Sequence, residues 1–90
     1  MTYRIHRSMR HDASVFVLSG VLDSEHATRL QELLAIETND RIVLDLEDVT
    51  LVDRAGMQFL ARAEVAGTEI VNCPEYVRSW IAEENSVDSQ

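Results

Sequence analysis

The stretch DLEDVTLVDRAGMQFL, Asp45 to Leu60, holds the end of one element, a capped turn and the start of another. The run leading into it, Arg41 to Leu46, is β-branched and Leu-rich and reads as a strand buried in the middle of a sheet, closed by Glu47 and Asp48. Asp53 then supplies an N-cap for a helix over Arg54 to Ala66, with Gly67 placed as its stop. At 3.6 residues per turn Gly56, Phe59, Leu60 and Ala63 share one side and are expected inward. Arg54, Gln58, Ala61, Arg62 and Val65 are then expected outward, with Met57 on the border.

Working outward, the same alternation of periods recurs. Tyr3 to Arg7 reads as a strand, His11 to Ser14 as a turn, and Val15 to Leu18 as a central strand bounded by Ser14 and Gly20. Asp23 is a second N-cap, with Glu25 in the first turn and Ala27, Leu30, Leu33 and Leu34 as a buried stripe, ended by Thr38, Asn39 and Asp40. Downstream lie a short strand over Thr68 to Val71, a helix start at Asn72, Cys73 and Pro74, and a stripe of Tyr76, Val77, Trp80 and Ile81. The order ββαβαβα implies an α/β fold, a four-stranded mixed sheet with about three helices mainly on one face. Residues 1–84 form one domain, and 85–90 are expected to be a disordered polar tail.

Ninety residues suffice for a single small core, and no apolar run reaches the roughly 20 residues that span a bilayer. Arginines and histidines interrupt Met1 to His11, unlike a secretory leader, so a cytoplasmic location is expected. A formal charge of −8 disfavours nucleic acid and anionic membrane surfaces. The lone Cys73 offers neither a disulfide nor a zinc site.

Catalytic patterns are missing. His6, His11 and His26 have no partners at triad or metal spacing and read as solvated surface side chains. Gly20, Gly56 and Gly67 stand too far apart for a phosphate cradle and read as a turn, a close-packing contact and a helix stop. Asp45 and Asp48, near the carboxyl end of the central strand, are a weak candidate for a divalent cation. Tyr76 and Trp80, one turn apart, read as core rather than as a ligand box. No cofactor and no enzymatic activity are expected.

Two blocks resemble the STAS family of anti-sigma factor antagonists. In that family a strand aspartate is followed by a Val-Thr-like pair, an apolar pair, then Asp, Ser, Ser or Thr, Gly and Leu. Here the strand aspartate is Asp45, the pairs are Val49-Thr50 and Leu51-Val52, the capping aspartate is Asp53 and the glycine is Gly56. Gly20-Val21-Leu22-Asp23, leading to Ala27 and Leu30, is similar to the family's Gly-x-Leu-Asp segment. The likeness covers about residues 3–84.

The resemblance implies docking to an anti-sigma factor or kinase-like regulator through the turn and helix starting at Asp53. In regulated members, phosphorylation of a hydroxyl just after that aspartate breaks the complex. Arg54 and Ala55 fill those positions here and cannot accept a phosphoryl group, so the usual switch is lost. The expected partner-binding residues are Asp23, Asp53, Arg54, Ala55, Gly56, Met57, Gln58, Ala61 and Arg62. An arginine at a helix N-terminus opposes the dipole at a cost of a few tenths of a kcal/mol, so Arg54 either faces an acidic partner or pairs with Asp53, Glu47 or Asp48. The alternatives are a STAS subunit of a lipid-transport ABC system, or a small-ligand sensor with a pocket beside Asp45 and Asp53. The oligomeric state is open.

Overall fold

The computed structural model describes residues 3–87, with side chains through residue 84. Its elements are β1 (Tyr3–Arg10), β2 (Ala13–Leu22), α1 (Ser24–Ala35), β3 (Ile42–Val52), α2 (Arg54–Val65), β4 (Glu69–Val71) and α3 (Glu75–Val87). They build one sheet in the order β1-β2-β3-β4, with β1 antiparallel to β2 and the other pairs parallel. Both crossovers advance in the same direction, and right-handedness therefore lays α1 and α2 on one face, where α3 packs beside α2. This is the mixed four-stranded sheet with three helices that the sequence implied.

Between sheet and helices lies a core of leucine and aromatic side chains. Phe16, Leu18 and Leu22 from β2 and Leu44 and Leu46 from β3 meet Leu30, Leu60, Val77 and Ile81 from the helices. Each fully buried leucine contributes about 2 kcal/mol of apolar transfer. No helix of the described residues is long and apolar enough to cross a membrane.

Several local expectations are corrected. β1 runs on to Arg10, and the hairpin turns on His11 and Asp12 alone, both at positive φ (52° and 67°) as a two-residue hairpin of this twist requires. Ala13 and Ser14 belong to β2 and are buried. Gly20 makes no turn: it sits inside β2 at φ 87°, next to a register shift. Glu47 and Asp48 do not close β3, because its ladder with β2 breaks at two shifts and resumes, carrying the strand to Val52.

Helix packing explains two more differences. Ala61, expected outward, is 3% exposed because α2 lies between α1 and α3 and is covered on its flanks as well as beneath. Tyr76 is 51% exposed, since α3 seats Val77 and Ile81 on the core and leaves the preceding residue at the margin. α3 continues through residue 87, so the expected tail does not begin at Asn85; residues 88–90 lie outside the described residues. Adding residues to an existing helix costs far less than nucleating one.

Candidate functional site

Parallel pairing of β2 with β3 brings Leu22 beside Val52, and the Leu22 carbonyl accepts from Asp53 N–H at 3.1 Å. Two helix starts are thereby set side by side at one edge of the sheet. Asp23 Oδ1 accepts from His26 N–H at 3.0 Å, and Asp53 Oδ1 accepts from Gly56 N–H at 2.9 Å. Each aspartate also receives the first helical bond on its own carbonyl, from Ala27 and Met57 respectively. Both caps predicted from sequence are formed.

Gly56 decides how closely α2 sits. A Cβ there would fall 2.3 Å from the Leu22 carbonyl oxygen and 3.0 Å from Leu22 Cγ and Val52 Cγ1, so only glycine allows this approach. With α2 held so tightly, Arg54 lies at the rim and is exposed. Among the described residues no hydrogen bond or ion pair engages its guanidinium, so the pairing with Asp53, Glu47 or Asp48 is not made.

The structure places Asp53, Arg54 and Arg62 on the surface, with Ala55, Met57 and Gln58 half-buried and Gly56 and Ala61 buried. The expected apolar strip of Met57, Ala61 and Val65 is therefore broken, for Met57 packs against the core and only Val65 is fully open. Leu51, which the sequence reading left out, supplies an apolar group instead: it is 54% exposed two residues before the cap. Strand alternation was the available signal, since Val52 points inward and its neighbour must point out.

Asp45 has another role. Its Oδ1 accepts from Glu47 N–H at 3.0 Å and from Asn72 Nδ2 at 2.9 Å, tying β3 to the residue after β4. The recess it lines, of about 190 Å³, is bordered by Arg10, Arg41 and Val43, and Asp53 is not among its lining residues. Among the described residues no group of three or more His, Cys, Asp or Glu side chains is placed to hold a metal.

His26 is not a surface side chain. It is wholly buried, its ring stacks on Tyr3 with centroids 4.3 Å apart, and Nδ1 lies 3.0 Å from the Val21 carbonyl oxygen. Nε2 has no hydrogen-bond partner among the described residues, and burial pushes the imidazole pKa below its usual value against weaker opposition from the Val21 carbonyl and Asp23.

The largest charge perturbation lies elsewhere. Glu37 accepts from Arg7 Nε at 2.8 Å, Ser14 Oγ at 2.8 Å and Asn39 N–H at 3.0 Å. The Arg7 bond, then those from Asn39 and Ser14, hold its carboxyl down at about 2. This clasp joins β1 to the segment just after α1. Burial likewise raises the Cys73 thiol, making it a poor nucleophile.

No curated protein matches the chain. Among solved structures it is similar to the STAS domain of an antisigma-factor antagonist from Rhodobacter sphaeroides, at 18% identity and a TM-score of 0.55, over 77% of this chain and 83% of that one. At that identity the likeness speaks to fold. The model of the family described as "Mlab, STAS domain" matches residues 5–74, which contain both capped helix starts, most of β1 and all of β2, β3 and β4. On that match, and on the ββαβαβα sheet that carries it, this chain belongs to the STAS family.

Proposed function

We propose that this chain is a regulatory module that works by binding another protein, docking through the edge formed by Leu51, Asp53, Arg54 and the outer ridge of α2. The observation that carries the reading is Arg54: a fixed cation at the positive end of a helix, exposed and without a counter-ion among the described residues. An acidic group from outside the chain would offset its opposition to the helix dipole. The exposed Leu51 beside it adds apolar contact, and Gln58 and Arg62 extend the ridge by successive turns.

An anti-sigma factor or a kinase-like regulator fits this chemistry, consistent with the structural likeness to an antagonist of that class. The module binds rather than catalyses. Phosphorylation at the usual place does not switch it: a phosphoserine would add a charge of about −2 at the helix start, whereas Arg54 holds a permanent positive charge and Ala55 has no hydroxyl. Control then resides in the partner.

The missing hydroxyls also favour a second reading, a STAS subunit held constitutively on the ATPase of a lipid-transport ABC system. Affinity capture with parent and Arg54→Glu baits, followed by identification of the bound protein, tests both. Loss of one specific protein from the Arg54→Glu bait supports the docking edge, and its identity as a regulator or a transport ATPase chooses between the readings. Equal recovery on both baits contradicts the docking edge.

A further inference from the structure

All three helices pack on one face of the sheet, and among the described residues nothing covers the other. Parallel strands are normally covered on both faces, and β2, β3 and β4 run parallel. The bare face is composed as a covered one. Ala13, Val15 and Val17 of β2, Val43 of β3 and Val71 of β4 alternate onto it, and none of the five belongs to the core beneath the helices. The recess of about 190 Å³ described above opens on this face, with Ala13, Val15, Val43 and Val71 in its lining.

Charge is divided across the same face. On the β1 side Arg4, His6, Ser8 and Arg10 alternate outward, opposite in direction to Ile5 on the core, and no carboxylate accompanies them. Neither arginine has a counter-ion among the described residues. On the β3 and β4 side stand Asp45, level with Val17, Asp48, level with Ser19, and Glu69, level with Val43, against the single cation Arg41. Glu69 meets Arg41 only at 4.0 Å, with both side chains more than half exposed, so it has room for a second cation.

A complementary cover is therefore acidic over β1, apolar over the middle and basic over β4. The face itself has that composition once it is turned over. A two-fold axis running between two sheets and parallel to their strands reverses the order β1-β2-β3-β4, laying β1 of each copy on β4 of the other and β2 on β3. Height along the strands is kept. Val15 then meets Val43 of the second copy, and Ser8 lies over Glu69 of that copy, within reach of Arg10 two residues along β1. An axis across the strands would instead set β1 on β1 and arginine on arginine.

We propose that the bare face is a homodimer interface, in which two copies of this chain pack sheet to sheet about an axis parallel to the strands, with valines between them and Arg10 of each copy on Glu69 of the other. Asp45 enters the contact with its bonds from Glu47 and Asn72 already made. Four strands about 4.8 Å apart and six residues of about 3.3 Å each give a flat face on the order of 400 Å² per copy. Contacts of that size are weak, so the dissociation constant is expected on the order of 100 μM. Arg10 and Glu69 lie toward the opposite end of β3 from Asp53 and Arg54, so the interface is distinct from the α2 edge proposed above.

Sedimentation of the whole chain up to about 1 mM tests this, with a monomer–dimer equilibrium as the expected result. Arg10→Glu and Glu69→Arg are each expected to weaken the dimer at least about tenfold, while Arg29→Glu, an equal charge change on α1, alters it less than about twofold. Mixing the two weakened variants in equal amounts should restore dimers, because every Arg10–Glu69 position in the mixed pair again joins opposite charges. Methyl NMR on a mixed-label sample should show contacts from Val15 of one copy to Val43 of the other. Monomer throughout the range, a dimer indifferent to both substitutions, no recovery on mixing, or intermolecular contacts confined to the free edge of β1 or to the helices would each overturn the proposal. Failure of the α2 edge is read separately, by the Arg54→Glu capture.

Discussion

The starts of α1 and α2 are built alike and used differently. Each follows a parallel strand, each is capped by an aspartate Oδ1 bound to the amide three residues on, and the two lie next to each other. At the third helical position they diverge: α1 has His26, buried against Tyr3, while α2 has Gly56, pressed on the Leu22 carbonyl. The first two positions diverge as well, Ser24 and Glu25 in one and Arg54 and Ala55 in the other. Glu25 suits the positive helix end and Arg54 does not. Shared backbone geometry therefore fixes the fold, and side-chain choice makes one start a sealed joint and leaves the other with an exposed arginine, the surface proposed above for a partner.

Changing the third position should have the largest effect. Gly56→Ala forces a methyl into the Leu22 carbonyl and is expected to lower stability by about 1–3 kcal/mol, read by denaturant unfolding. A variant as stable as the parent would show that α2 is not held by this contact.

Exchanging charge sharpens the contrast. Arg54→Glu is expected to weaken binding of the captured partner about tenfold, near 1.4 kcal/mol, while leaving stability unchanged or slightly raised. Glu25→Arg should do the reverse, costing a few tenths of a kcal/mol of stability with no change in binding. The caps themselves should be equivalent: Asp23→Ala and Asp53→Ala are each expected to cost about 1 kcal/mol in thermal or denaturant melts.

Acid should distinguish the joint from the clasp behind it. His26 has a folded pKa below its ordinary 6.5, so the unfolded chain takes up its proton first and stability declines as pH falls below about that value. Glu37, depressed from 4.5 to about 2, contributes stability that is complete above 4.5 and lost as pH falls to about 2. Thermal midpoints should drop in two stages, the first removed by His26→Phe and the second by Glu37→Gln.

Sequence alone made the caps legible because capping is local: an aspartate, its amide three residues on and the helix stripe all lie within one window. The sheet followed from the order of elements. What was hidden depends on neighbours distant in sequence. Ala61 is inside because α3 closes over the flank of α2, and His26 is inside because β1 brings Tyr3 over it. Glu47 and Asp48 suggested a strand end because polarity does not reveal register shifts that let a ladder resume. Leu51 escaped notice because the Leu51-Val52 pair was read as one apolar unit rather than as two faces of a strand.

Hydrogen exchange of the complex with the captured partner tests the central claim most directly. Docking at the α2 edge predicts slowed exchange on binding in peptides covering residues 51–62, with the start of α1 at residues 24–27 little changed. Unaltered exchange over 51–62, with protection appearing only on other elements, would contradict it.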